Sequence, residues 1–265
     1  QGPVRPLGLV LSGGGAKGLA HIGVLRVLDS LGIRPDLIVG TSMGSIVGAM
    51  FASGYTPNEI EEQARSLGLA QLFSRDGLRT PRSLGERRPL VVWQPGAGGF
   101  RTADASARQQ AVGAALNRVL LNGNLAARGD FDSLPIPFRA IATDLRNREQ
   151  VVLSGGDLAQ AVRASMAVPL VFDPERIDGR ELIDGGIAAN VPVEAARRTG
   201  AVRVIVSDVS WRPPDSVRAD NPLVVADLLI SYLFTQPPDS LGPEDVLVRP
   251  QVDSFAPLDF SAPRI

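Results

Sequence analysis

The 265-residue sequence contains no cysteine and a single histidine, His21. Without cysteine the chain cannot form disulfides, thiolate metal sites or a cysteine nucleophile. One histidine also excludes a zinc site built from two or three imidazoles. The catalytic chemistry open to this chain is therefore that of hydroxyl, carboxylate, amine and backbone amide groups and of one imidazole.

Charge of one sign is not in excess either, since 27 Lys and Arg face 28 Asp and Glu, giving a formal net charge of −1. This balance provides no overall attraction to nucleic acid or to an anionic membrane, so we expect no nucleic-acid partner. Apolar residues make up 44% and charged residues 21%, which are typical globular values and exclude a disordered or collagen-like chain.

One uncharged stretch, residues 37–58, has small residues at intervals of four, as in packed transmembrane helices. However, it contains four Gly, three Ser, two Thr and one Pro, which makes it too polar for a membrane span. We therefore interpret it as a strand followed by a buried helix.

Short apolar runs alternate with segments of helical periodicity along most of the chain. Strands are predicted at residues 7–12, 37–40, 137–145, 149–154, 181–183, 202–209 and 245–249. Helices are predicted at residues 16–31, 43–53, from about 57, 104–121, 158–167, 192–199 and 222–234. Residues 69–103 lose this periodicity and form an irregular excursion. The pattern predicts one α/β domain across residues 1–265, with three layers and a mostly parallel central sheet.

The clearest catalytic signal is the G-x-S-x-G sequence from Gly40 to Gly44, which falls between a predicted strand and a helix of small residues. A sharp strand-to-helix turn exposes the hydroxyl of its central serine, and the flanking glycines remove side chains that would clash. Ser42 is thus a candidate nucleophile, with a purely structural turn as the alternative.

A second signal is the glycine-rich segment at residues 12–18, which follows the first strand and opens a helix. Its glycines fit a dinucleotide fingerprint, but the second strand ends in Gly40-Thr41 and not in the acidic residue that binds ribose. The backbone amides of this glycine loop, at the start of a helix, are therefore candidates to stabilise an anionic charge such as that of an oxyanion. A nucleotide-binding module remains the alternative.

A serine nucleophile needs a proton acceptor. His21 lies one turn into the first helix, where packing or support of the site is the simpler role. Asp184 ends an apolar run and precedes two glycines, so it is the preferred base, although Asp-Gly is also a common turn pair. Asp144 is a second, less favoured carboxylate, and Lys17 is a further candidate base or a cation beside the loop.

Taken together, these motifs resemble the patatin-like phospholipases. The resemblance rests on the segments Ser12–Gly18, Gly40–Gly44 and Asp184–Gly186, supported by residues 142–145 and 164–169. It covers about residues 7–210 and implies the patatin-like three-layer fold. It also allows the domain to be part of a longer chain.

The resemblance implies lipid ester hydrolysis by a Ser42–Asp184 dyad, with the loop of Gly13, Gly14 and Gly15 as the oxyanion hole and no metal or cofactor. Lys17 and His21 would support the site or contact a head group. Phospholipid or lysophospholipid would be the substrate of a phospholipase A or lysophospholipase, with contact to a membrane surface. The partners of this domain would be a second copy of the chain, in a homo-oligomer, or further domains of a longer chain. An inactive interaction domain is the remaining alternative.

Two groups of apolar residues could form an exposed rim for a bilayer, although core packing or a contact with another domain is the simpler interpretation. They are Leu69, Leu72, Phe73, Trp93 and Phe100 in the irregular segment, and Leu229, Tyr232, Leu233 and Phe234 near the last predicted helix.

Overall fold

The computed structural model describes residues 6–66, 92–94, 99–101, 103–169, 171–210, 232, 234–235 and 240–252. Its strands are β1 (Leu7–Leu11), β2 (Leu37–Thr41), β3 (Val92–Gln94), β4 (Gly99–Arg101), β5 (Phe138–Asp144), β6 (Gln150–Leu153), β7 (Glu175–Ile177), β8 (Arg180–Asp184), β9 (Arg203–Ser207) and β10 (Val246–Val248).

The α-helices are α1 (His21–Ser30), α2 (Met43–Ala52), α3 (Pro57–Ser66), α4 (Ala103–Val119), α5 (Leu121–Ala127), α6 (Leu158–Ser165), α7 (Gly186–Ala189) and α8 (Val193–Arg198). Short 3-10 helices cover Gly15–Ala20 and Phe131–Ser133.

Eight of the described strands form one sheet in the order β10-β9-β1-β2-β5-β8-β7, with β6 added against β5. The first five strands in this order are parallel, whereas β6 and β8 run antiparallel to β5. The predicted α/β fold with a mostly parallel sheet is therefore confirmed. Strands β3 and β4 form a separate antiparallel pair.

Strand β5 brings two distant parts of the chain together on one of its edges. Strand β2 pairs with residues 138–141 of β5 and β8 pairs with residues 142–144, while β6 pairs with residues 140–143. Strand β6 pairs with residues of β5 that also pair with β2 or with β8, so it must lie alone on one edge of β5. Strands β2 and β8 therefore share the opposite edge. They run towards each other there, so their carboxyl ends meet.

Apolar side chains alternate between the two faces of the sheet, as expected for strands covered on both sides. Leu9 and Leu11 of β1 belong to a large core that includes residues of α1, α2, α4, α5 and α6. Val10, between them, belongs to a second core with Val193 and Ala196 of α8. This arrangement gives the three layers, with the thicker helical layer on the side of α2.

Three sequence predictions differ from the structure. The helix predicted at residues 16–31 begins as a 3-10 helix, with Gly15 at φ 56° and Gly18 so close to Met43 that a Cβ would overlap its side chain. The helix predicted at residues 104–121 ends at Val119, and α5 follows after Leu120. The irregular segment includes β3 and β4, while the helix predicted at residues 222–234 lies almost entirely outside the described residues.

The uncharged segment 37–58 contains β2, a turn, α2 and the start of α3. Among the residues with described positions, no helix is both long and apolar enough to cross a membrane.

Candidate active site

Ser42 lies on the turn between β2 and α2 with φ 52° and ψ −121°, a backbone conformation that side-chain-bearing residues rarely adopt. Such strain costs about 1–3 kcal/mol and persists only where the surroundings enforce it. A Cβ on Gly44 would overlap the carbonyl oxygens of Leu11 and Ser12, so α2 can approach the end of β1 only because residue 44 is glycine. The turn thus presents the Ser42 hydroxyl beyond the carboxyl end of the sheet.

The hydroxyl of Ser42 donates a hydrogen bond of 2.7 Å to Oδ2 of Asp184, although 142 positions separate the two residues. The register of the sheet explains this contact. Thr41 pairs with Ile141 of β5 and Asp184 pairs with the next residue, Ala142. The last residues of β2 and β8 are thus neighbours along β5, and the structure brings the two residues together at this point.

Asp184 is completely buried, and its second carboxylate oxygen, Oδ1, accepts the amide of Gly186 at 2.8 Å. Burial raises the pKa of Asp184 to about 7, against the hydrogen bonds from Ser42 and Gly186, which lower it. A carboxylate with this pKa is a much better proton acceptor near neutral pH than a free aspartate.

The glycine loop lies directly against Ser42. A Cβ on Gly13 would be 3.4 Å from Cβ of Ser42 and would overlap Oδ1 of Asn190. The amide of Gly13 already donates to the carbonyl of Asn190 at 3.1 Å. Within the described part of the chain, no acceptor is found for the amides of Gly14 and Gly15. Of the three glycines predicted as oxyanion donors, only Gly13 thus has its amide engaged by another described residue, and the oxyanion role of the loop stays a prediction.

His21 takes a different part in the structure. Its Nδ1 lies 2.7 Å from Oγ of Ser207 and its Nε2 lies 2.9 Å from the carbonyl oxygen of Ser12. Burial lowers the pKa of His21 to about 4, although the bond to Ser12 and the charge of Asp208 raise it. Because both ring nitrogens are engaged and the ring is fully buried, His21 has no nitrogen free to accept the proton of Ser42.

The other predicted site residues are placed as follows. Lys17 is almost fully buried in the first 3-10 helix and has an interaction of its own. Asp144 accepts the amide of Arg146 at 2.9 Å and so stabilises the turn after β5. Of the apolar rim residues, Tyr232 is exposed, and the ring of Phe234 lies against Gly186. Backbone positions 93 and 100 pair in β3 and β4, and the others lie outside the described residues.

Sequence reasoning assigned no role to three buried polar residues around the site. Ser165, at the end of α6, accepts the amide of Ser42 at 2.9 Å. Thr143 donates to the carbonyl of Asp184 at 2.8 Å, and Asn190 supports the glycine loop. The sequence feature that could have indicated such residues is a small polar residue within an apolar run, as in the Ala-Ser-Met-Ala segment that contains Ser165.

A family model described as patatin-like phospholipase matches residues 9–197, which include the turn at Ser42, the glycine loop and Asp184. The chain belongs to the patatin-like phospholipase family. This patatin-like domain is 31% identical over 207 residues to patatin-like phospholipase domain-containing protein 6 of Mus musculus, covering 77% of the present chain and 13% of that protein.

The domain is also 31% identical over 221 residues to an uncharacterized NTE family protein of Mycobacterium tuberculosis, covering 83% of this chain and 54% of the relative. The patatin-like domain thus spans between about an eighth and a half of the length of these relatives. The crystal structure of VipD from Legionella pneumophila shares the fold, with a TM-score of 0.50 at 16% identity over 85% of this chain and 52% of that one.

Proposed function

We propose that this domain hydrolyses acyl esters of lipids, with Ser42 as nucleophile and Asp184 as general base. The observation that carries the proposal is the 2.7 Å hydrogen bond between the Ser42 hydroxyl and a buried carboxylate with a pKa of about 7. Membership of the patatin-like phospholipase family supports the lipid class of substrate. Phospholipids and lysophospholipids are the substrates we expect, in a phospholipase A or lysophospholipase reaction.

In the first step, Asp184 accepts the proton of Ser42 while Oγ attacks the acyl carbonyl carbon. The negative charge that develops on the carbonyl oxygen is stabilised by the amides of Gly14 and Gly15; removing one such donor typically costs about 3 kcal/mol of transition-state stabilisation. The tetrahedral intermediate then collapses, the ester C–O bond breaks, and the leaving alcohol takes the proton from Asp184. Ser42 is left acylated.

In the second step, Asp184 accepts a proton from a water molecule, which attacks the acyl group on Ser42. The bond between Oγ and the acyl carbon breaks, Ser42 regains its proton and the fatty acid leaves. One ester and one water thus yield one alcohol and one acid, and Asp184 returns to its starting ionisation state.

The test is treatment of the folded chain with a fluorophosphonate, followed by mass analysis of the peptide that contains Ser42. We expect a covalent mass shift on this peptide and turnover of a chromogenic ester. Binding of NAD or ATP without an adduct would favour the nucleotide-binding alternative. A folded chain that binds neither nucleotide and carries no adduct would favour an interaction domain.

The substrate class needs a separate measurement. Release of fatty acid from phosphatidylcholine vesicles is compared with release from lysophosphatidylcholine micelles, and the position of the cleaved ester is determined from the products. Co-sedimentation of the chain with the vesicles tests the contact with a membrane surface that we propose for this substrate class. Turnover of the chromogenic ester with neither lipid cleaved would contradict the lipid part of the proposal.

A further inference from the structure

The carboxyl end of α6 contacts both halves of the Ser42–Asp184 pair. The hydroxyl oxygen of Ser165, the last residue of α6, accepts the amide of Ser42 at 2.9 Å across 123 positions of sequence. The backbone carbonyl of the same residue accepts the amide of Gly185 at 3.1 Å. Two positions further on, the carbonyl of Ala167 accepts the amide of Asp184 at 3.0 Å. One short segment therefore holds the serine turn and the aspartate strand at once.

The bond to the Ser42 amide matters because of the conformation of that residue. Ser42 has a positive φ of 52°, which is unfavourable unless neighbouring contacts enforce it. Its amide follows the last residue of β2 and donates to a side chain, and a buried amide without an acceptor is itself unfavourable. Ser165 is fully buried and supplies that acceptor.

We infer that Ser165 is a positioning residue, which acts through Ser42 and makes no contact with substrate. Its hydroxyl keeps the backbone of Ser42 at positive φ and thereby keeps Oγ within hydrogen-bond distance of Asp184. This inference rests on the proposed function, since positioning matters for catalysis only if Ser42 is the nucleophile.

The test compares Ser165→Ala with Ser45→Ala. Both serines are fully buried and both hydroxyls bond to the backbone of Ser42, because Ser45 Oγ donates to the Ser42 carbonyl at 2.6 Å. That carbonyl also accepts the amides of Ser45 and Ile46, so Ser45→Ala leaves it satisfied, whereas Ser165→Ala leaves the Ser42 amide without its acceptor.

For Ser165→Ala we expect kcat for a chromogenic ester to fall by ~10- to 100-fold, because small misplacements of reacting groups cause losses of this size. The KM should stay within about twofold of the wild type. Ser45→Ala should keep kcat within about threefold, and Ser165→Thr, which retains the hydroxyl, should recover most of the loss. If Ser165→Ala does not fold, Ser165→Cys replaces the hydroxyl with a weak acceptor of similar size. A kcat close to wild type in the variant tested, or an equal fall in Ser45→Ala, overturns the inference.

Amide hydrogen exchange at Ser42, followed by NMR, separates this inference from the proposed function. We expect exchange to be at least ~10-fold faster in Ser165→Ala, because the amide has lost its acceptor. Unchanged exchange overturns the positioning role. If the wild type neither turns over esters nor reacts with a fluorophosphonate, the proposed function fails, and the exchange rates still decide whether Ser165 holds the turn.

Discussion

Among the residues that the structure describes, two buried pairs have a serine hydroxyl 2.7 Å from a titratable side chain: Ser42 with Asp184, and Ser207 with His21. Burial favours the neutral form in both, so it raises the pKa of Asp184 to about 7 and lowers that of His21 to about 4. The pairs differ in what surrounds the serine. Ser42 lies on a strained turn beside the glycine loop, whereas Ser207 ends strand β9 and is fully buried. Distance alone therefore does not distinguish the serine that we propose as nucleophile from a structural one.

The sharpest way to test this comparison is to remove each hydroxyl in turn. Ser42→Ala should lose ~10³-fold or more in kcat for a chromogenic ester, as other catalytic serine systems do. Ser207→Ala should keep kcat within about tenfold but lose ~1–3 kcal/mol of unfolding free energy, because Nδ1 of His21 loses its partner. Steady-state kinetics and urea unfolding measure the two effects. Equal loss of activity in both variants would remove the distinction between the pairs.

The titratable partners should differ in the same way. Asp184→Asn removes the proposed base and should lower kcat by ~10²- to 10³-fold, while the folded structure is retained. His21→Gln should keep most of the activity and be less stable, since the two hydrogen bonds of the buried ring are lost or weakened. Kinetics on folded protein, checked by circular dichroism, measure this contrast. A large loss in His21→Gln alone would make histidine the base.

The pH dependence of kcat/KM provides a smaller effect. Asp184 must be ionised to accept a proton, so activity should rise with pH and level off above its pKa of about 7. At pH 5, two units lower, kcat/KM should be ~100-fold below the plateau. The profile of His21→Gln should have the same midpoint. A midpoint near pH 4, the usual range of aspartate, would contradict the effect of burial.

Much of this site could be predicted from sequence because its signals are local. The G-x-S-x-G turn and the aspartate before two glycines are each contained in five residues or fewer, and a single histidine made a carboxylate base plausible. Ser165 could not be assigned in this way, since its contact with Ser42 spans 123 positions and depends on where α6 ends. The 3-10 helix was missed for a similar reason, because Gly18 packs against Met43 of another helix.

The smallest expected effect is on stability, where the two pairs should have opposite pH dependence. Folding raises the pKa of Asp184, so its contribution to the free energy of unfolding is fully present below pH 4 and is lost as pH rises through about 7. Folding lowers the pKa of His21 to about 4, so its contribution to the free energy of unfolding is fully present above pH 6.5 and is lost as pH falls towards 4.

Urea unfolding at pH 5 and pH 8 should show both trends. From pH 5 to pH 8, the free energy of unfolding of Asp184→Asn should rise by on the order of 1–4 kcal/mol relative to that of the wild type. The reason is that the variant lacks the carboxyl group that must ionise in a buried position. Over the same pH interval, the free energy of unfolding of His21→Gln should fall relative to that of the wild type. Parallel stability curves for all three proteins would mean that neither group is held neutral by burial.

The meeting of β2 and β8 on one edge of β5 has a consequence for how this domain can vary. The separation of hydroxyl and carboxylate is set by consecutive rungs on a third strand, and so it is independent of the length of chain that connects them. A change in the length of the connecting chain away from β5 should therefore leave the hydroxyl of Ser42 and the carboxylate of Asp184 in place. Sliding β8 by a single rung would displace the carboxylate by ~3.3 Å and turn it to the opposite face.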